Sequence, residues 1–196
     1  MKTPTKIKIL NIARDLFNKE GYNRVSMRDI ASALNMSVGN LTYHFAKKED
    51  LVEAIILHNH MFYVVPQPTT SIEGLNNLFK RKQEHHKNNA YYYRHYKQLS
   101  RISVVIKDIQ YKATNDFYYA LQKTFQNLQE KGLLQKESLS NQYDSLIQII
   151  MASNIYGAPA VSGFEKRTLI ETYWNVIHFF LTNQGKDDYK KMHTNS

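Results

Sequence analysis

The 196-residue chain contains no cysteine, which excludes disulfides, thiolate metal sites and a cysteine nucleophile. Glycine and proline are scarce, with 7 and 4 residues, as suits a chain that is mostly helical. Nothing approaches the roughly 20 apolar residues that span a bilayer; "IQIIMA" and "VIHFFL" are far too short. The opening "MKTPTKIKIL" is basic but has no apolar run of a signal peptide, so a cytoplasmic location is expected, with no membrane partner. G-x-S-x-G, P-loop, G-x-G-x-x-G and H-E-x-x-H motifs are all missing. His85 and His86 are adjacent and diverge by roughly 100° on a helix, and His58 and His60 share no face. No catalytic residue, metal site or cofactor is therefore expected, and an enzyme is the disfavoured class.

What is present is positive charge and helical periodicity. The formal net charge is +9 and the pI about 9.5, which favours an anionic partner such as nucleic acid, a lipid surface or an acidic ligand. Ile9, Ala13, Leu16 and Phe17 mark a first helix that ends near Gly21. Ser26 opens a second, where "SMRD" resembles a capping box, and Ile30, Ala31 and Leu34 form its inner face. Asn35 tolerates the left-handed backbone of a tight turn. Ser37 caps a third helix held down by Leu41 and Phe45, and a fourth runs from about Lys47 to Val64. "PQPTT" then breaks the chain, and "TSIE" (Thr70 to Glu73) reads as a further capping box. Long helical patterns follow from Ser71 to Gly132. Two strongly apolar helices come after them, around Leu139–Tyr156 and Glu165–Asn183, with "GAPAVSG" between them. The last dozen residues are polar and expected to fray.

Two short helices joined by a four-residue turn match a helix-turn-helix, whose second helix enters the major groove. Asn40, Tyr43, His44 and Lys47 lie opposite Leu41 and Phe45, flanked by Gly39 and Thr42. Gly39 lets the helix start approach DNA, Asn40 can pair with adenine, and the Thr42 methyl can meet a thymine methyl. Tyr43, His44, Lys47 and Lys48 can donate to phosphates, and Arg28 can reach a guanine or a phosphate. Ser37 and Val38, at the helix start, complete the candidate set. A solvated face on an ordinary helical hairpin explains the same hairpin equally well.

The longer run "ILNIARDLFNKEGYNRVSMRDIASALNMSVGNLTYHFAKKEDLVEAI" resembles the N-terminal domain of the TetR family of bacterial transcription regulators. The resemblance covers about the first third of the chain. It rests on A-x-x-L-F-x-x-x-G-Y at Ala13, Leu16, Phe17, Gly21 and Tyr22, then on "SMRDIA", S-x-G-x-L and "HF-x-x-K-E-D-L" in register. Thr42 departs from it, because the family usually has Tyr directly after that Leu. The resemblance implies an all-α homodimer with a three-helix reading domain over residues 1–46 and a larger helical effector-binding and dimerisation domain over 47–196. The function it implies is a ligand-responsive repressor on a palindromic operator. The alternative is a constitutive or architectural DNA binder without an effector.

The charge excess is not concentrated in the motif. Residues 1–50 carry nine Lys/Arg against five Asp/Glu, and residues 75–112 nine against two. Ten of the 23 Phe and Tyr fall between residues 75 and 125. One reading is an effector cavity lined by some of Tyr92, Tyr96, Phe117, Tyr118 and Phe125, with Arg94 or His95 orienting an aromatic or acidic ligand. An extra DNA-backbone surface is a second, and aromatic core beneath a solvated basic face a third. In the last helix, Leu169, Tyr173, Val176, Ile177 and Phe180 form one apolar stripe, and Ile170, Trp174 and Leu181 another. A helix apolar on two sides packs against two things. With Leu146, Ile149, Ile150 and Ser153 as the matching helix, the second partner is another subunit or the interior of a large monomer. The family resemblance points to the subunit.

Overall fold

The computed structural model describes residues 5–156 and 168–194; the connection "GAPAVSG" and the expected helix start at Glu165 lie outside them. Eleven α-helices form among the described residues: α1 Thr5–Glu20, α2 Met27–Ala33, α3 Val38–His44, α4 Lys48–Met61, α5 Ile72–Asn88, α6 Ala90–Arg94, α7 Tyr96–Leu99, α8 Val104–Glu130, α9 Gln142–Tyr156, α10 Leu169–Ile177 and α11 Asn183–Thr194. No strand forms among them, and Leu134 and Leu181 make an isolated antiparallel bridge. The fold is all-α, as the periodicity requires.

The local signals act where the sequence puts them. Gly21 takes φ +89° and its N–H donates to the Phe17 carbonyl at 3.0 Å, closing α1. Ser26 and Asp29 form the reciprocal capping box of α2, and hydrogen bonds from Ser26 hold the Asp29 carboxyl below its usual range. Asn35 takes φ 52° in the turn. The cap of α5 is displaced by one residue. Ser71 Oγ accepts the Gly74 N–H at 3.0 Å, while the Thr70 hydroxyl is held by Lys131 Nζ at 3.1 Å.

The chain packs as two compact units, one of residues 1–64 with 88–111, the other of 65–87 with 112–196. In the first, Ile9, Ala13, Phe17, Ile30, Leu41, Leu51 and Ile55 form a buried core with Tyr91, Leu99 and Ile106. The boundary expected at residues 46/47 falls just before α4. By packing, α4 joins α1–α3, because Leu51, Val52, Ile55 and Ile56 are buried in that core. The second unit is built on Leu75, Phe79, Phe117, Leu121, Phe125, Ile147, Trp174 and Ile177.

The polar C-terminal stretch is helical rather than frayed. Thr182 caps α11 by accepting the Gly185 N–H at 3.1 Å, while its own N–H donates to the Leu133 carbonyl at 3.1 Å. Tyr189 then packs its ring 4.8 Å from Trp174, whose Nε1–H donates to buried Asn76 Oδ1 at 2.9 Å. Gly185 is required by close approach, since a Cβ there would lie 2.1 Å from the Leu133 carbonyl oxygen. Gly185→Ala is expected to destabilise the second unit by about 1–3 kcal/mol, the usual cost of overpacking. A lower urea midpoint at unchanged slope would show this.

Candidate DNA-reading site

The turn between α2 and α3 is set by backbone hydrogen bonds from Asn35 N–H to Ser32 O and from Met36 N–H to Ala31 O, each 3.0 Å. Ser37 Oγ accepts the Asn40 N–H at 3.1 Å and fixes the first turn of α3. Leu41 and Phe45 are buried beneath it. Ser37, Val38, Gly39 and Asn40 are exposed, and Tyr43 is 85% exposed with its ring 5.4 Å from His44. Arg28 on α2 and Lys47 just before α4 are exposed as well. One short helix thus presents a polar and aromatic face that no other described residue covers.

Gly39 sharpens the point. A Cβ added there would meet only Ser37 Oγ at 3.9 Å, and its φ is not positive. Neither crowding nor backbone geometry within the chain calls for glycine, although glycine inside a helix costs roughly 0.5–1 kcal/mol relative to alanine. No contact among the described residues therefore accounts for glycine at this position.

Two members of the expected set are placed differently. Thr42 is half-buried and its hydroxyl donates to the Gly39 carbonyl at 3.1 Å, so its proton is used within α3. Lys48 turns inward. Its ammonium donates to the carbonyls of Tyr22 and Val25, 3.0 Å each, and sits 4.4 Å from the centre of the Tyr22 ring. Burial, with the Glu49 carboxylate, pushes the Tyr22 phenol up to about 12. Lys48 braces the α1–α2 connection against the start of α4, a pairing across more than twenty residues that no sequence spacing signals. Lys48→Ala is expected to cost about 1–3 kcal/mol of stability, as hydrogen bonds from a charged donor do. Thermal melting at two salt concentrations checks it: the expected loss is in melting temperature, with no change in the salt slope of DNA binding.

The expected effector residues fall in both units. Tyr92 and Tyr96 belong to the first, with rings 5.5 Å apart, edge to face. Arg94 Nη2 donates to Asn18 O at 3.2 Å, and the His95 ring lies 6.0 Å from that of Tyr22. Phe117 and Phe125 are core side chains of the second unit, Phe125 stacked on Tyr143 at 5.4 Å. The Tyr118 hydroxyl donates to Asp144. Lys82, not singled out by the sequence, is half-buried with its ammonium 5.0 Å from the Phe117 ring centre, and burial lowers its amine to about 8.

The expected interface residues separate by depth. Leu146, Ile150, Tyr173 and Ile177 are buried in the second unit's own core, and Leu169, Ser153 and Phe180 are half-buried. Ile149 is 62% exposed and Val176 41%. Phe179, absent from the expected set, is 78% exposed just beyond α10. No group of three His, Asp or Glu residues that could hold a metal occurs among the described residues, and none of their helices is long and apolar enough to cross a membrane.

The HTH-type transcriptional regulator UidR of Escherichia coli (strain K12) is 43% identical over 56 residues, which are 29% of this chain and 29% of that protein. QacR of Staphylococcus aureus (strain Mu50), also an HTH-type transcriptional regulator, is 45% identical over 51 residues, 26% of this chain and 27% of QacR. The chain thus matches less than a third of the length of these relatives. Over nearly its whole length it shares its fold with a TetR-family transcriptional regulator from Marinobacter aquaeolei VT8, at TM-score 0.77, 18% identity and 98% coverage of both chains. A protein from Saccharomonospora viridis solved in complex with choline superposes at TM-score 0.66 with 18% identity, covering 91% of this chain and 98% of that one. Residues 9–55 match the bacterial regulatory proteins of the tetR family, and over that stretch the chain is similar to members of that family.

Proposed function

We propose that the chain is a sequence-specific DNA-binding regulator of transcription, a repressor that reads a palindromic operator as a homodimer. The observation that carries this reading is the uncovered face of α3: Gly39 with no internal reason to be glycine, beside exposed Asn40 and an 85% exposed Tyr43. In the bound dimer the two α3 helices lie about 34–36 Å apart, one turn of DNA. Asn40 reads a base, and Arg28, Tyr43, His44 and Lys47 hold phosphates. Ile149, Val176 and Phe179 form the centre of the dimer face.

The repressor responds to a small aromatic or acidic molecule in the second unit. The Lys82 ammonium against Phe117 supports a ligand of that chemistry; the neighbour solved with choline, a cation, supports the binding of a small molecule and not its acidic or aromatic character. The ligand must bind the DNA-competent and DNA-incompetent forms unequally, and a tenfold change in operator affinity needs only about 1.4 kcal/mol of coupling. One observation favours a second reading, a constitutive DNA binder: Phe117 and Phe125 are interlocked in the core.

Selection of bound sites from a random duplex pool, followed by footprinting, tests the DNA reading. A two-fold symmetric protected site is expected, and recovery of no sequence preference overturns it. Titrating aromatic acids into that complex, with fluorescence of Trp174 as readout, separates the responsive from the constitutive protein.

A further inference from the structure

Residues 88–111 lie far from the helix-turn-helix in sequence, yet they pack in the same compact unit. The attachment is specific. Asn18 Nδ2 donates to the Asn88 carbonyl at 2.8 Å, and its Oδ1 accepts the Tyr91 N–H at 3.1 Å. Tyr91 is fully buried with its ring 5.6 Å from Phe17. Gln98 Nε2 donates to Asn23 Oδ1 at 2.8 Å, tying α7 to the turn between α1 and α2. Around that last bond sit three exposed cations: Arg24 next to Asn23, Lys97 next to Gln98, and Arg101, whose N–H donates to the Gln98 carbonyl at 3.1 Å.

The placement matters because the same turn leads into the reading motif. Asn23 is three residues before Ser26, the cap of α2, and five before Arg28. Tyr22 beside it carries Lys48 and so touches the start of α4, next to Lys47. The segment Asn88–Tyr111 contributes Arg94, Lys97, Arg101 and Lys107 against a single acid, Asp108. Arg24 and Arg101 form no ion pair among the described residues. A cluster of like charges brought together by folding is unfavourable on its own and favourable beside a polyanion. Flexible, exposed cations suit phosphates, which fix position without reading sequence.

We infer that Arg24, Lys97 and Arg101 form a second DNA-contacting surface on the reading unit, gripping backbone phosphates of the duplex that flanks each half-site. The inference rests on the DNA-binding reading above and extends its footprint beyond α3. It accounts for part of a basic excess that lies outside the motif in sequence but folds into the same compact unit.

The test uses the full chain and a palindrome selected by the wild-type protein from a random duplex pool. Two duplexes carry it, one ending at the half-sites and one with roughly a further helical turn, about 10 bp, on each side. Wild-type protein is expected to bind the flanked duplex several-fold tighter and with a steeper salt dependence. Lys97→Ala/Arg101→Ala, with Arg24→Ala added in a second variant, should abolish that advantage. Each lost phosphate contact lowers the log–log salt slope by about 0.9. Affinity for the short duplex should be unchanged, and the melting temperature should match wild type. Equal slopes and affinities for wild type and variants on the flanked duplex overturn the inference while leaving sequence-specific binding in place. Failure of the wild-type protein to select any palindrome overturns the DNA reading itself, and this inference with it.

Discussion

Ile177→Glu is expected to unfold the second unit, whereas Ile149→Glu is expected to leave it folded and separate the subunits. Ile177 is fully buried against the core of α5, α8 and α9 residues, so a carboxylate there has neither water nor a partner. The cost is several kcal/mol, comparable to the 5–15 kcal/mol that stabilises a whole domain. Ile149 is 62% exposed in the subunit, so a charge there stays solvated in the single subunit and is buried only in the dimer proposed above. Val176→Glu, at 41% exposure, should behave the same way. Circular dichroism on heating distinguishes unfolding from dissociation, and sedimentation at micromolar concentration reports the association state. An Ile149→Glu protein that melts normally and sediments as a dimer would place the interface elsewhere.

Asn40→Ala should spare the fold and remove base discrimination. The Asn40 side chain makes no hydrogen bond among the described residues, and its backbone N–H is engaged by Ser37. An exposed substitution away from caps and cores usually changes stability by less than about 0.5 kcal/mol. A bidentate contact to adenine is worth roughly 1–3 kcal/mol, and a dimer makes it twice. The variant should therefore lose affinity for its selected palindrome by roughly 10- to 100-fold per half-site, with little change on random duplex. Equal losses on both DNAs would remove Asn40 from the base-reading role and leave it a phosphate contact.

The residues of the reading motif were legible because each acts within a few positions of itself. Ser26 and Ser37 cap the helices that begin beside them, Gly21 and Asn35 turn the chain by their own φ, and Leu41 and Phe45 repeat one helical turn apart. The capping box expected at Thr70 shows the limit even of local chemistry. Lys131, sixty-one residues away, takes the Thr70 hydroxyl, and the cap passes to Ser71.

The sequence by itself determined the all-α class, the helix-turn-helix and its outward residues, all consequences of hydrogen bonds and periodicities that close within about one helical turn. Only the tertiary structure decided that residues 88–111 join the reading unit through Asn18 and Asn23, that Lys48 faces inward, and that α11 forms on Leu133 and Trp174. It also decided how the two apolar stripes divide: Tyr173 and Ile177 of one and Trp174 and Leu181 of the other are core, while Val176 is exposed. Periodicity shows that Tyr173, Val176 and Ile177 are apolar, but which of them is covered depends on side chains some hundred residues away, Asn76 and Phe79 among them. Burial is set by what packs from the far end of the chain, and no residue encodes that alone.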